Sequence, residues 1–137
     1  MKSKILLLFS ALIVLAGCGA STEKQFAKTA LEMECQVANQ TLADKYVDAV
    51  TICKSCQFDG KNVIYNYELD EELAALESID KSLLESRILE NWKTNPAVRA
   101  TKQNLLILDG SVVYNYTGSK SKKTLTVTIK PPKDSEE

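Results

Sequence analysis

Two stretches of this sequence are near copies of one another. Phe58-Asp59-Gly60-Lys61-Asn62-Val63-Ile64-Tyr65-Asn66-Tyr67 returns as Leu108-Asp109-Gly110-Ser111-Val112-Val113-Tyr114-Asn115-Tyr116, about 50 residues on and one residue shorter. Both end in alternating residues, the period of a strand with one buried face. Both carry Asp-Gly ahead of the strand. Asp-Gly between alternating apolar residues is a strong hairpin signal, because a type I′ turn needs positive φ at both central positions. The repeat therefore predicts two hairpins on one antiparallel sheet, and two copies are too few for a solenoid.

The register follows from the turns. A two-residue loop at Asp59-Gly60 sets Cys56 opposite Val63, Lys54 opposite Tyr65, Ile52 opposite Tyr67 and Val50 opposite Leu69. A loop at Asp109-Gly110 sets Ile107 opposite Val112 and Leu105 opposite Tyr114. A third turn across Gly118 to Lys122 sets Tyr116 opposite Leu125, Tyr114 opposite Val127 and Val112 opposite Ile129. Apolar residues meet on one face throughout, as a half-buried antiparallel sheet requires, with Lys54 the exception.

Two helices complete the pattern. Asp70-Glu71-Glu72 supplies an N-cap and an acidic first turn for Leu73, Leu76, Ile79, Leu83, Leu84 and Ile88 at helical spacing, with Trp92 ahead of the Asn95-Pro96 stop. An earlier helix from Glu23 to Ala43 carries Phe26, Ala30, Met33 and Val37, and Leu31, Cys35, Ala38 and Leu42 widen that stripe. The expected fold is α+β, a single domain of order α-β-β-α-β-β-β. It is an antiparallel sheet of two Asp-Gly hairpins plus a C-terminal strand, with helices packed on one face. The folded part spans 23–130, and 131–137 reads as a disordered tail.

The 137 residues are 45% hydrophobic and 26% charged, which suits one folded domain and not two. With no histidine, Ser-His-Asp and Cys-His catalysis are excluded, as is any His-ligated zinc or haem. The 17 basic residues are matched by 18 acidic ones, so the cationic excess that nucleic-acid binding requires is missing.

The first residues address the chain. Lys2 and Lys4 precede an apolar run from Ile5 to Leu15, the length of a signal-peptide core and too short to span a bilayer. The run ends in Leu15-Ala16-Gly17-Cys18. Over residues 1–21 this resembles the lipobox of bacterial lipoprotein precursors. The resemblance implies a signal peptide over 1–17, cleavage before Cys18, diacylglycerol and palmitate on Cys18, and a lipidated tether over 18–22. Gly19 rather than Asp after that cysteine implies, in a Gram-negative cell, the outer membrane facing the periplasm. Several acyl chains at ~0.8 kcal/mol per buried methylene anchor a protein without a membrane-spanning helix.

Three cysteines remain. Cys53-Lys54-Ser55-Cys56 has the spacing of a thiol-disulfide pair, but such pairs sit at helix N-termini. On a strand, residues three apart lie about 10 Å from one another and on opposite faces, beyond the ~7 Å a disulfide allows. Face arithmetic places Cys56 with Cys35 as the disulfide candidates and turns Cys53 away alongside Thr51, Ser55 and Gln57. A bulge between Ile52 and Cys56 would favour Cys35 with Cys53 instead. No metal or cofactor is implied, and the acids over 68–90 read as the wet face of a helix. From Lys93 to Lys133 there are eight basic residues and one acid, Asp109. Lys120, Lys122 and Lys123 either guard a hairpin edge or contact anionic groups on lipid or an acidic partner.

The functional expectation is a small, non-enzymatic, membrane-anchored lipoprotein that binds or helps assemble an envelope protein partner. Pilot-like secretion lipoproteins, envelope-assembly accessories and inhibitor or immunity lipoproteins resemble it in size and address. The alternative is a periplasmic thiol-disulfide protein using Cys53 and Cys56.

Overall fold

The computed structural model describes residues 20–133. Helix α1 is Ala20–Thr41, followed by strands β1 (Lys45–Tyr46), β2 (Thr51–Phe58) and β3 (Val63–Leu69). A short 3-10 turn at Leu76–Ser78 leads to α2 (Lys81–Thr94), a second at Pro96–Val98 leads to α3 (Arg99–Leu108), and β4 (Val112–Gly118) and β5 (Thr124–Ile129) close the chain. The strands form one sheet in chain order. Within the described residues the architecture is α+β, one five-stranded sheet with three helices. Cys18 and the rest of the lipobox lie outside the described residues.

One strand pair departs from the expected topology. β1–β2, β2–β3 and β4–β5 are antiparallel, but β3 and β4 run parallel. The two repeats thus lie side by side in register: Val63 beside Val112, Tyr65 beside Tyr114, Asn66 beside Asn115 and Tyr67 beside Tyr116. A parallel pair needs a long crossover, and the segment holding α2 and α3 provides it.

The strand expected before Asp109 is α3 instead. Leu105-Leu106-Ile107-Leu108 is a continuous apolar run, which periodicity alone cannot divide between strand and buried helix. Asp109 takes a left-handed φ of 52° and ends the helix. Its N–H donates to Leu106 O at 3.2 Å and that of Gly110 to Leu105 O at 2.8 Å. This is the Schellman closure, and it satisfies carbonyls that a helix end would otherwise leave open. The second Asp-Gly is a helix stop, not a hairpin turn.

The first Asp-Gly does join two antiparallel strands, through a four-residue loop. The Asp59 carboxylate accepts from the N–H groups of Lys61 at 2.9 Å and Asn62 at 2.6 Å, and Gly60 has φ 99°. Phe58 therefore faces Val63, and Cys56 faces Tyr65 rather than Val63. A bulge at Lys54 then places Cys53 opposite Tyr67 and Thr51 opposite Leu69. Lys54 is the extra residue, which removes the misfit it posed: its ammonium lies outside, 2.5 Å from Asp44. The β4–β5 pairs Tyr116–Leu125, Tyr114–Val127 and Val112–Ile129 are those the spacing predicts.

Helix α2 starts ten residues later than the acidic cluster suggests. Its cap is Asp80, which accepts from Leu83 N at 3.1 Å. Glu71 serves elsewhere: its carboxylate accepts from the backbone N–H groups of Lys120 at 2.8 Å and Ser121 at 2.7 Å. It ties the turn after β4 to the crossover.

The core lies between the helices and the inner sheet face. Leu31, Leu105, Val63, Val112 and Val127 are fully buried, and Trp92 joins them. Helix α1 carries two apolar stripes, and the core takes Ala27, Leu31, Cys35 and Ala38. Small residues in that stripe let the helix lie close to β2 and α3. The stripe of Phe26, Ala30, Met33 and Val37 turns outward instead, leaving Met33 50% and Val37 54% exposed. On the outer sheet face, Asn66 Nδ2 donates to Ser55 Oγ at 2.9 Å and Asn115 Nδ2 to Asn66 Oδ1 at 3.2 Å. Thr126 Oγ1 completes this ladder by donating to Asn115 Oδ1 at 2.8 Å.

Both ends of the expected domain differ. Helix α1 begins at Ala20, inside the segment read as a tether. Pro131 and Pro132 are buried, although the sequence predicts fraying there.

Candidate functional site

The parallel register decides the chemistry of the inner sheet face. Tyr65 and Tyr67 on β3, and Tyr114 and Tyr116 on β4, occupy alternate positions and so share one face. Tyr65 and Tyr114 stack with centroids 5.7 Å apart and planes 10° from parallel, while Tyr67 and Tyr116 meet edge-on at 5.4 Å. Tyr67 also lies 5.6 Å from Tyr65 and 5.8 Å from Tyr114. Such offset and edge contacts are the favoured aromatic geometries.

Tyr65, Tyr67 and Tyr114 floor a groove of about 460 Å³. Helix α1 gives it Glu34, Leu42 follows the end of that helix, and Tyr46 closes strand β1 with Val47 next in the chain. Trp92, Val98 and Thr101 form the far wall. Leu42, Tyr46 and Val47 stand at its open rim with 36%, 54% and 39% exposure. The Trp92 indole N–H donates to the Tyr114 hydroxyl at 3.2 Å, and the Tyr46 hydroxyl donates to Asp70 at 2.5 Å.

The floor is neutral. Burial holds the Tyr65, Tyr67 and Tyr116 phenols far above their ordinary range and pushes Tyr114 up to about 12. Glu34 is the one carboxylate among the lining residues. The Thr101 hydroxyl lies 2.8 Å from both its oxygens. Burial raises the Glu34 carboxyl, and the Thr101 bond partly offsets that rise. The arrangement suits binding: an apolar aromatic surface with hydroxyl donors and one acid to orient a guest.

The residues singled out in the sequence fall elsewhere. Cys35 and Cys56 lie in the core with their sulfurs 2.8 Å apart. Cys53 is also buried on the inner face, with Thr51, while Ser55 and Gln57 point outward. The expectation that Cys53 turns away is thereby corrected, because the bulge at Lys54 faces both cysteines inward. Burial raises all three thiols, Cys56 furthest. Lys120 pairs with Glu72 at 2.9 Å and Lys123 with Glu77 at 2.8 Å, while exposed Lys122 holds a φ of 60° at the turn tip. Among the described residues no cluster of His, Cys, Asp or Glu could hold a metal ion, and no helix is long and apolar enough to cross a membrane.

Sequence reasoning missed the groove. The available signal was Tyr-Asn-Tyr in both repeats, which becomes a shared aromatic floor only when the two strands run parallel. Glu34 and Thr101 are 67 residues apart and carry no local signal.

The fold is similar to those of solved bacterial proteins. The pilotin EpsS of the type 2 secretion system of Vibrio vulnificus matches with a TM-score of 0.62 at 8% identity, over 82% of this chain and 99% of that one. A protein of Pseudomonas aeruginosa described as secreted matches with a TM-score of 0.60 at 12% identity, over 78% of this chain and 91% of that one. At these identities the likeness is one of fold. No family model matches the sequence, and no curated protein matches it.

Proposed function

We propose that this chain is a lipid-anchored accessory of envelope assembly, of the pilotin kind, which holds a segment of a partner protein in the tyrosine-floored groove. The observation that carries the reading is the fold shared with EpsS over nearly all of that protein's length. The lipobox supports the anchor: lipid on Cys18 would tether the domain to the outer membrane, on its periplasmic side. The groove supports the mode of action. Its occupant is an apolar protein segment bearing a Lys or Arg, because the floor is neutral and aromatic and Glu34 is the acid that would meet a cation. A charge-assisted hydrogen bond there would contribute about 1.5–3 kcal/mol.

The thiol-disulfide alternative has less behind it. Cys53 and Cys56 are buried on a strand with raised thiols, whereas a reactive pair needs a lowered thiol and access.

Two experiments test the proposal. Cys18→Ser should release the full chain from the membrane fraction of its host, and retention after a carbonate wash would sink the anchor. A photo-crosslinking residue at Val47 should capture one envelope protein, and Glu34→Gln with Tyr46→Ala should weaken that capture. A probe at Thr128, on the outer sheet face, should not capture it. Equal capture at Val47 and Thr128 refutes the groove.

A further inference from the structure

Cys35 and Cys56 are 21 residues apart in sequence and belong to different elements, α1 and β2. Their sulfurs lie 2.8 Å apart, 4% and 2% exposed, closer than unbonded sulfurs ordinarily approach. An independent clamp holds the same spot. Asn39, one turn beyond Cys35, donates from Nδ2 to Cys56 O at 2.8 Å and accepts at Oδ1 from Cys56 N–H at 2.7 Å. Both backbone groups of Cys56 are thus fixed to α1, and the approach of the sulfurs does not depend on side-chain rotation alone. Cys53 shares the inner face but stands opposite Tyr67, beyond the bulge.

We propose that Cys35 and Cys56 form a disulfide that staples α1 to β2, with Cys53 left as a buried free thiol. The oxidant is a small or protein disulfide, such as oxidised glutathione. The Cys35 and Cys56 S–H bonds break and one S–S bond forms between them. The oxidant's S–S bond takes up the two electrons and two protons and becomes two thiols. Exchange proceeds through a thiolate, and burial keeps both thiols protonated in the folded domain, so the bridge forms while the chain is still open. Once formed, it is shielded from reductants by the same burial. The bridge is independent of the proposed function, because it is read out covalently and needs no partner.

Trypsin separates the cysteines. Cys35 falls in peptide 29–45, Cys53 in 46–54, Cys56 in 55–61 and Cys18 in 5–24. The full chain is refolded in a mixture of reduced and oxidised glutathione, alkylated without reduction, digested and weighed. The expected result is 29–45 joined to 55–61, two hydrogens lighter than the separate peptides, with 46–54 alkylated. Dominant alkylated 29–45 and 55–61, or any dominant bridge to 46–54 or 5–24, overturns the proposal. A second measurement uses stability. The parent and Cys53→Ser refolded in reductant should melt roughly 10–15 °C below the same proteins refolded in the glutathione mixture, and Cys35→Ser and Cys56→Ser should melt alike after either refolding. Loss of the reductant effect in Cys53→Ser would also overturn it.

Discussion

Replacing Gly110 by alanine strikes the point where α3 ends against the loop before β3. Among the described glycines only Gly60 has a positive φ, so backbone strain is not the issue at Gly110. Space is. An added Cβ would lie 1.9 Å from the Lys61 carbonyl oxygen and 3.3 Å from Leu105 Cδ2, the first about 1.1 Å inside the 3.0 Å floor for such contacts. Neither side can yield cheaply. Lys61 sits in the loop closed by Asp59, and Val63, two residues on, donates from its N–H to Ser111 O at 3.0 Å. Gly110 is itself held by its 2.8 Å bond to Leu105 O. Opening the contact loosens Val63, Val112 and Leu105, each 0% exposed. Overpacking costs about 1–3 kcal/mol and a weakened buried hydrogen bond about 1 more, so the expected loss is about 3 kcal/mol. At about 4–6 °C per kcal/mol for a domain of this size, the melting temperature should fall by roughly 12–18 °C. Gly60→Ala is the control, because a Cβ there meets nothing within 4 Å and only the φ of 99° opposes it. Its cost should be about 1 kcal/mol. The single tryptophan, Trp92, is buried against the core and reports both melts by its fluorescence. Equal shifts, or a larger one in Gly60→Ala, would refute the reasoning.

Acid should unfold the domain partly through Glu71, whose carboxyl is held down at about 2, chiefly by the Ser121 N–H and also by the N–H of Lys120. Its folded value lies below its ordinary 4.5, so its stabilisation is present above about pH 4.5 and lost as pH falls toward 2. The denaturant midpoint of Glu71→Ala should therefore vary less over that window than the parent's, and parallel curves would exclude the assignment. Glu34 has the opposite sign, since its raised carboxyl favours the folded state as it protonates. Glu34→Gln should thus steepen the acid loss, which the same titration reads. Asn39→Ala strips both backbone bonds from Cys56 and should cost about 1–3 kcal/mol in chemical denaturation; a neutral result would dissolve the clamp. Lys120→Ala and Lys123→Ala break exposed ion pairs, which are worth little, so their melting temperatures should match the parent's.

Local chemistry was enough for much of the framework. Period-two alternation marked β3, β4 and β5, and the turn after Gly118 set the β4–β5 register, because a short hairpin leaves little choice of pairing. The apolar periodicities of α1 and α2 were legible for the same reason, as was the neutral, histidine-free chemistry that excludes whole classes of catalysis. Tertiary structure decided the rest, wherever one local signal served two outcomes. Asp-Gly suits a hairpin turn at residue 59 and a helix stop at residue 109, since both need a left-handed residue. The Leu105–Leu108 run suits a buried strand or a buried helix, and only the pairing of β3 with β4 makes it the helix of a crossover. Helix α1 offers two apolar stripes, and the surfaces of β2 and α3 choose the one with alanines that fit close. The acids at 70–72 suit a helix start, but Glu71 is claimed by backbone amides 49 and 50 residues away. The groove follows from the same cause. Its tyrosines were visible in the repeat, but their meeting as one floor, with Glu34 and Thr101 beside it, depends on which segments lie next to each other, and the sequence states that only through the whole folded chain.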